Sequence, residues 1–383
     1  MTAYLAGAGL TPFGRIPGRG ALAWQAQASR AALADAGVGL QEVDAVVCGY
    51  ATTIGHLMPA NLLAEHLGIT PQVAFGTSVG GATGLAMLAQ AVALVGSGAA
   101  RCVLVAAGED RASGQSRDSA ISVLAQVGHR DYEVPLGANI PAYYALLASA
   151  YLARYGTDPA TALAPLAVQV RAHAARHPGA QFRTPITVDD VLASRPISEP
   201  LHLLDCCPVS DGGAAFVVTA APGSPRAVPV LGTGQAHRHQ HVSEADLSDL
   251  GARRAASQAM AAAGVGPDDI DVAGVYDSFT VTLALLLEEI GFCEPGGAGA
   301  MAARGDLDLD GRLPVNTHGG LLSYGHCGVG GGMAHVAELL AQLRGEAGDR
   351  QVAGPLRRAF VHADGGVLSA HVSAVLGAAG EVP

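Results

Sequence analysis

Four side chains suited to proton transfer stand in glycine-rich loops or beside predicted strands. Tyr276 follows a β-branched run, His362 lies in an apolar run, and Tyr324 and His326 share one glycine-rich loop. An imidazole titrates near neutral pH, whereas a tyrosine, with an ordinary pKa of about 10, acts more naturally as an acid. These four residues are the candidate catalytic groups.

Two glycine-rich turns stand before predicted helices, and each could bind a developing negative charge. Backbone N–H groups at a helix start attract oxyanions and thioester oxygens. Tight strand-to-helix turns also require glycine for purely conformational reasons. Two polar residues directly after Tyr276 add hydrogen-bonding groups to this set. The candidate substrate-binding residues are Gly80, Gly81, Asp277, Ser278, Gly328 and Gly330.

Other reactive residue types give weaker signals. The six cysteines form no Cys-x-x-Cys pair, which predicts a reduced, cytoplasmic protein without a zinc site. Cys327 has no sequence neighbour that would activate its thiol. The alternate histidines of segment 237–241 are interpreted as a solvated or interface stretch, and no metal site is expected. His318 and His335 flank the candidate site and are expected to be structural.

Composition narrows the class of protein. The chain has 383 residues, is 50% hydrophobic and only 14% charged, and carries a net charge of −11. This profile favours a large buried core and excludes a nucleic-acid-binding protein. The uncharged segment 78–100 is long enough for a membrane span of about 20 residues. Because Gln90 and several glycines interrupt it and a strand follows, we predict a buried helix and no membrane span. The first residues resemble a strand more than a signal peptide.

A diverged internal repeat organises the chain. Alanine-rich helical stretches at 21–36 and 252–263 each end at a glycine, followed by a short acidic turn and a buried strand. Two copies of such a unit predict two similar halves, each with a mostly parallel sheet covered by helices. An accidental match caused by the abundance of alanine and glycine is the alternative.

The repeat continues through the glycine-rich turns. Val79-Gly-Gly stands before an apolar helix and a strand near 103, and Val329-Gly-Gly-Gly stands before a helix near 333–343 and a strand at 360. Between the halves lies a less regular stretch that we interpret as an elaboration over one face. The predicted units are residues 1–110 plus 205–222, a loop insertion 111–204, and residues 223–383.

Together these segments resemble the thiolase superfamily, specifically the sterol-carrier-protein-type thiolases. The resemblance covers almost the whole chain and implies an α/β fold of two pseudo-symmetric αβα halves, each with a five-stranded mixed sheet, plus a loop insertion. It also implies a homodimer that acts on coenzyme A thioesters. The motifs that carry it are Leu204-Asp-Cys-Cys-Pro-Val-Ser-Asp-Gly-Gly-Ala-Ala, Val275-Tyr-Asp-Ser-Phe-Thr, Gly291-Phe-Cys-Glu-Pro-Gly and Asn316-Thr-His-Gly-Gly-Leu-Leu-Ser-Tyr-Gly-His-Cys-Gly.

Carried over position by position, the resemblance places glycine, Gly81, where a thiolase has its nucleophilic cysteine. The Asn-Glu-Ala-Phe tetrapeptide corresponds to residues 276–279, and the histidine of Gly-His-Pro corresponds to His326. The second thiolase cysteine falls at or beside His362. The pattern is similar to that of bacterial steroid side-chain aldolases, in which tyrosines at positions matching Tyr276 and Tyr324 are the suspected acid and base.

A carbon–carbon bond can still be cleaved without a nucleophilic cysteine. If the β-carbon carries a hydroxyl, a base removes its proton, the Cα–Cβ bond breaks, and an acid protonates the resulting thioester enolate. We therefore predict a retro-aldolase that cleaves a bulky, possibly steroid, β-hydroxyacyl-CoA to a ketone or aldehyde and a short acyl-CoA. An acyltransferase with an unusual nucleophile and a non-catalytic acyl-CoA-binding scaffold are the alternatives. The resemblance further implies a small zinc-ribbon and OB-fold partner protein, and no cofactor beyond coenzyme A as part of the substrate.

Overall fold

One nine-stranded mixed sheet forms the centre of the molecule in the computed structural model, which describes residues 1–381. Its strand order is β3-β2-β4-β7-β1-β8-β11-β10-β9, and β5 and β6 form a separate hairpin. The strands are β1 (Ala3–Leu10), β2 (Ala45–Gly49), β3 (Val73–Thr77), β4 (Cys102–Asp110), β5 (Pro196–Ser198), β6 (Leu201–His202), β7 (Asp211–Thr219), β8 (Val228–His237), β9 (Val272–Val275), β10 (Ala359–Gly365) and β11 (Ala370–Leu376).

Twelve α-helices lie among the described residues, together with a π-helical turn at Gly320–Tyr324. They are α1 (Ala21–Ala36), α2 (Pro59–Leu67), α3 (Thr83–Gly96), α4 (Arg117–Leu124), α5 (Ile140–Tyr155), α6 (Pro159–Ala162), α7 (Ala164–Ala175), α8 (Val188–Ala193), α9 (Ala252–Ala263), α10 (Thr280–Ile290), α11 (Ala298–Ala303) and α12 (Val329–Leu343). In the described part of the chain, no helix combines the length and apolar character needed to cross a membrane.

The two halves of the sheet repeat one pattern of strand pairing. In the first half, β2 lies parallel to β3 and β4, and β7 lies antiparallel to β4 and β1. In the second half, β9 lies parallel to β10, and β11 lies antiparallel to β10 and β8. The counterpart of β3 is a single bridge between Val315 and Ala273, so this half has four strands where five were expected. Antiparallel pairing of β1 with β8 joins the halves.

The predicted repeat is confirmed at its helices. α1 and α9 have the predicted bounds, and each ends at a glycine in the left-handed conformation, Gly37 with φ 67° and Gly264 with φ 68°. Glycine adopts this conformation without the steric cost that a Cβ imposes. The predicted buried helix in segment 78–100 is α3. Residues 382 and 383 of the predicted C-terminal unit lie outside the described residues, and the unit boundaries stay predictions.

Two segments are more helical than predicted. The stretch 111–204, expected to be a loop insertion, contains α4 to α8. Its longest helix, α5, begins after Asn139, whose side chain accepts a hydrogen bond from the Ala142 N–H, and it buries Tyr144 and Tyr151. α12 begins at Val329 rather than near 333, so its glycines form the first turn. A Cβ on Gly332 would approach both the Gly81 carbonyl and the Tyr276 ring at 3.2 Å, so this turn needs small residues.

Close packing of α9 on β8 gives a test of the fold. A Cβ on Gly234 would overlap the Ala255 carbonyl oxygen and lie 2.8 Å from the Ala259 nitrogen. Gly234→Ala should therefore lower the free energy of unfolding by about 1–3 kcal/mol, measured by urea unfolding. Gly266→Ala is the matched control, since the nearest atom to its Cβ would be the Asp269 carboxylate at 3.8 Å. Equal stability of both variants would contradict the packing described here.

Candidate active site

A cavity of about 230 Å³ lies between the two halves and the insertion. Both glycine-rich turns, the end of β4, the start of α5, the segment before β7 and the ends of β9 and β10 contribute to it. The lining residues are Tyr50, Thr52, Gly80, Gly81, Glu109, Arg111, Leu124, Val127, Ile140, Pro141, Tyr144, Cys206, Cys207, Pro208, Val209, Tyr276, Ser278, Phe279, His326, Gly328, Val329, Asp364 and Gly366. Of the predicted site residues, six therefore reach this cavity.

Tyr276 and His326 form a hydrogen-bonded pair inside the cavity, with the Tyr276 hydroxyl oxygen 3.1 Å from His326 Nε2. Tyr276 is positioned by β9, because the Asn316 amide group bonds both the N–H and the carbonyl of Val275 at 2.8 Å. His326 is held by Ser210, whose hydroxyl accepts from the His326 N–H and whose own N–H donates to the His326 carbonyl. The two groups come from different loops of the second half, and Ser210, just before β7 of the first half, fixes the backbone of one of them.

The Tyr276 hydroxyl occupies the volume that a side chain at position 81 would need. A Cβ on Gly81 would overlap the Tyr276 hydroxyl oxygen and would lie 2.5 Å from the Asp364 carbonyl oxygen. Real Cβ atoms do not make such contacts. In this structure, a side chain at position 81 and the Tyr276 hydroxyl would therefore exclude each other.

Burial sets the protonation states of this pair. Desolvation, with a further contribution from the Asp364 carboxylate, raises the pKa of Tyr276 well above its usual value. Desolvation, together with the Arg111 guanidinium and His335, lowers the pKa of His326 to about 3. At neutral pH the pair is thus a protonated phenol bonded to a neutral imidazole. The phenol of such a pair can donate its proton to a strongly basic carbon atom, such as the carbon of an enolate.

Asp364 is a cavity residue that the sequence interpretation missed. Its Oδ2 accepts hydrogen bonds from the Tyr144 hydroxyl at 3.1 Å and from the Leu368 N–H at 3.2 Å, while Oδ1 has no partner among the described residues. Burial raises the pKa of this carboxyl to about 7. A carboxyl of a cavity-lining residue that has a raised pKa and an unpaired oxygen is a candidate general base.

Arg111 and Glu109 provide the charged wall of the cavity. The Arg111 Nε lies 3.8 Å from Glu109 Oε2 and has no hydrogen-bond partner in the described part of the chain. Thr52 donates a hydrogen bond of 2.7 Å to the same carboxylate. The positive charge of Arg111 opposes the rise in the pKa of Tyr276 and contributes to the fall in the pKa of His326, so it acts on both members of the hydrogen-bonded pair. A half-buried guanidinium with a free Nε–H can stabilise a developing anion.

Sequence signals for these missed residues differ in strength. Glu109 lies at the end of β4 and Arg111 follows the strand directly, so opposite charges at the end of a buried strand could have identified them. Asp364 stands before two glycines at the end of an apolar run, beside the already predicted His362. Tyr144 carried no signal, because only the packing of α5 brings its hydroxyl to Asp364.

Four predicted residues lie outside the cavity. Tyr324 packs against Phe13 and His177 instead. His362 hydrogen-bonds Ser373 through Nδ1 at 2.7 Å and His371 through Nε2 at 3.1 Å, so both ring nitrogens are engaged. Asp277 accepts from the Leu321 N–H and fixes the π-helical turn. Gly330 packs on Cys327. The predicted roles of these residues have no geometric support in this cavity.

The thiols near the cavity are not activated. Burial raises the pKa of Cys206 to about 12 and raises that of Cys207 further. Burial and the Glu109 carboxylate raise the pKa of Cys327 well above its usual value. Nucleophilic cysteines need a lowered pKa because the thiolate is the reactive form. The three thiols therefore lack the electrostatic environment of an acyl-accepting group.

Two duplicated halves around a common sheet, with a cavity at their junction, define a thiolase-type scaffold. Residues 3–221 match the family described as "Thiolase, N-terminal domain", and residues 234–378 match "Thiolase C-terminal domain-like". The chain belongs to the thiolase superfamily.

Relatives with different activities are about equally similar to this chain. A steroid side-chain-cleaving aldolase of Thermomonospora curvata is 34% identical over 374 residues, covering 90% of each chain. An acetyl-CoA acetyltransferase of Methanocaldococcus jannaschii is 34% identical over 361 residues, covering 90% of this chain and 91% of the relative. A solved structure described as an Ltp2-ChsH2(DUF35) aldolase superposes with a TM-score of 0.84 at 32% identity, covering 98% of both chains. The predicted fold and family are thus confirmed.

A side chain added at position 81 would occupy the same volume as the Tyr276 hydroxyl, so the effects of substitutions at these two positions on the free energy of unfolding should be coupled. Gly81→Ala should lower the free energy of unfolding by about 1–3 kcal/mol, because its Cβ meets the phenol. Tyr276→Phe removes the overlapping oxygen, so the double variant should be more stable than the sum of the single effects predicts, by about 1 kcal/mol. Urea unfolding of the four proteins measures this coupling. Strictly additive effects would show that the hydroxyl does not fill this volume.

Proposed function

We propose that this chain is a carbon–carbon lyase that cleaves a β-hydroxyacyl-CoA by a retro-aldol reaction. The resemblance matches position 81 to the thiolase nucleophile. The observation that carries the proposal is the Tyr276 hydroxyl, which lies where a side chain at position 81 would lie and is bonded to His326 within a cavity that Asp364 also lines. Acid and base groups are present there, whereas an activated thiol is not. The similarity to the aldolase of T. curvata supports the same reaction class.

The proposed steps assign one role to each group. The Asp364 carboxylate takes the proton of the substrate's β-hydroxyl, and the Cα–Cβ bond breaks as the β-carbon becomes a carbonyl. The bond electrons form a thioester enolate, which Arg111 and the backbone N–H groups of the turn at Gly81 stabilise. Tyr276 then gives its proton to Cα, with His326 bonded to the phenol oxygen. Transfer of the proton from Asp364 to Tyr276 restores both groups, so atoms and charge balance over the cycle.

A bulky acyl group, such as that of a steroid, is the substrate class we propose. Apolar residues of the insertion, Leu124, Val127 and Ile140, line the cavity beside Phe279 and leave room for a hydrophobic ligand. The name of the T. curvata relative specifies a steroid side chain, which agrees with this preference.

Acyl transfer is the second candidate function, because the acetyl-CoA acetyltransferase of M. jannaschii is as similar to this chain as the aldolase is. It would require a nucleophile other than residue 81. Cys206 and Cys207 line the cavity, but the raised pKa values of their thiols oppose this role. A scaffold without activity would not need the acid–base set described above.

A partner chain of the zinc-ribbon and OB-fold type is part of the proposal. The neighbouring solved structure is described as a two-component aldolase. Segment 119–146 of this chain exposes Tyr132, Leu136 and Leu146, and the same segment lines the cavity. A protein that covers these side chains would enclose the acyl group. The homodimer and the cytoplasmic location stay predictions.

The chemical test uses coenzyme A thioesters of branched β-hydroxy acids, with and without steroid groups. We expect release of a ketone or aldehyde and a shorter acyl-CoA, at an unchanged protein mass. Tyr276→Phe should lower kcat at least about 100-fold, within the range for removal of an acid–base group, while Cys206→Ala and Cys207→Ala should retain activity. Assays run with the chain alone and with a co-expressed partner of the named type. A protein mass raised by one acyl group would support acyl transfer and overturn the lyase.

The pKa of Asp364, raised to about 7 by burial, predicts the pH profile. A general base must be deprotonated, so kcat/KM should rise with pH through about 7 and level off above it. Asp364→Asn should remove most activity and abolish this rise, and Tyr144→Phe should move the midpoint upward, because its hydroxyl donates to the carboxylate. A flat profile across pH 6–8 (a range of about one unit on either side of the midpoint) would remove Asp364 from the mechanism.

A further inference from the structure

Helix α12 carries buried polar side chains on the face that turns toward the second half of the sheet. His335, Glu338 and Gln342 stand three or four residues apart and thus share one side of the helix. All three are buried. Thr317 donates to Glu338 at 2.8 Å and accepts from Gln342 at 3.1 Å, which continues the polar row. We call His318, His335, Glu338 and Tyr324 the polar seam.

The seam begins at the proposed active site. The His335 ring centroid lies 6.4 Å from that of Tyr276 and 4.8 Å from that of His318. Its Nε2 lies 3.5 Å from the Asp277 carboxylate. His318 in turn lies 5.3 Å, between ring centroids, from Tyr324. Four aromatic or imidazole rings thus follow one another from the cavity into the interior.

The seam ends at a second cavity of about 140 Å³, lined by His177, His318, Tyr324, Glu338, Arg350 and four apolar residues. His177 and Arg350 are only half-buried, so this cavity reaches the surface, and it shares no lining residue with the first cavity. Arg350 donates to Glu338 at 3.0 Å and thereby closes the row with an ion pair.

Five imidazole nitrogens along this route are buried without a hydrogen-bond partner among the described residues. They are both ring nitrogens of His318, both of His335, and Nδ1 of His326. Leaving a buried polar atom unpaired costs about 1–3 kcal/mol, so such a concentration requires an explanation. Residues 1–381 contain no group of three side chains that could hold a metal ion here. Water is the remaining partner of the right size.

The histidines of the seam are neutral at physiological pH. Burial lowers the pKa of His335 to about 3, and burial with the neighbouring His335 lowers that of His318 well below its usual value. The groups that face His335 are Asp277, His318 and Tyr276, each of which is itself buried. A neutral imidazole has one donor and one acceptor nitrogen, so it can accept a proton on one side while releasing one on the other.

We propose that the polar seam, with bound water, exchanges the proton of Tyr276 with solvent through His335 and His318. The proposal rests on the proposed function, in which Tyr276 protonates the α-carbon. It implies a further activity, namely hydrogen exchange at the α-carbon of a short acyl-CoA when no carbonyl partner is present. Tyr276 first passes its proton to the Asp364 carboxylate and then takes an α-hydrogen, which leaves the enolate. The phenol exchanges this proton with solvent through the seam and returns a solvent hydrogen to the carbon, and Asp364 then gives its proton back to Tyr276.

Deuterium incorporation tests this activity. Propionyl-CoA is incubated with the protein, alone and with its partner, in D₂O, and the α-hydrogen signal is followed by NMR. His335→Leu and His318→Leu should each slow exchange at least tenfold. Because the two residues act in series, the double variant should be no slower than the slower single variant. Imidazole at high concentration, entering through the first cavity, should restore part of the rate in all three.

Matched variants separate proton transfer from loss of structure. Tyr151→Phe removes a buried hydroxyl that donates to Glu288 far from the seam, and should leave exchange unchanged at a comparable loss of stability. If His335→Leu does not fold, His335→Gln keeps a polar side chain of similar size without the two-nitrogen exchange. Wild-type rates in both seam variants would overturn the seam while leaving the lyase intact. A wild-type protein that exchanges nothing but still releases a ketone or aldehyde and a short acyl-CoA would overturn the seam alone, whereas one that does neither would overturn the proposed function as well.

Discussion

The close approach of two backbone turns fixes everything else in the site. A Cβ on Gly80 would lie 2.6 Å from the Gly366 nitrogen, and one on Gly365 would overlap the Val79 carbonyl oxygen. The first turn belongs to one half of the molecule and the second turn to the other. Only residues without side chains permit this contact, and it places the Asp364 carbonyl and the Tyr276 hydroxyl beside Gly81. Loss of the contact would separate the turn at Gly81 from Tyr276 and Asp364, which both belong to the second half.

Burial then determines which chemistry the assembled groups can perform. Removal from water raises the pKa values of the phenols, carboxyls and thiols in the cavity and lowers those of the imidazoles. A thiol in this environment stays protonated and unreactive, whereas a carboxyl with a pKa near 7 becomes a useful base. The same desolvation thus opposes acyl transfer and favours proton transfer.

Local patterns were sufficient to predict the repeat and its elements. The bounds of α1 and α9 follow from alanine-rich runs that end at Gly37 and Gly264, and β1 and α3 follow from apolar runs. The helices of segment 111–204 were missed because turn signals such as His177-Pro178 obscured caps like Asn139. In the second half, Val315 forms one bridge instead of a fifth strand, and no sequence period distinguishes these outcomes.

A site residue could be predicted from the sequence only where it lies within a recognisable sequence motif. Tyr276 and His326 each lie in such a motif, and the hydrogen bond between their side chains joins the two motifs. Tyr144 and Asp364 are 220 residues apart and meet only because α5 packs over the second half, with Tyr144 stacked on Phe279 at 4.3 Å. The insertion therefore does more than cover the cavity, since it holds the proposed base through a hydrogen bond. A substrate that displaced α5 would alter the carboxylate's pKa as well as the size of the cavity, so acyl-group selection and base strength are coupled through one helix.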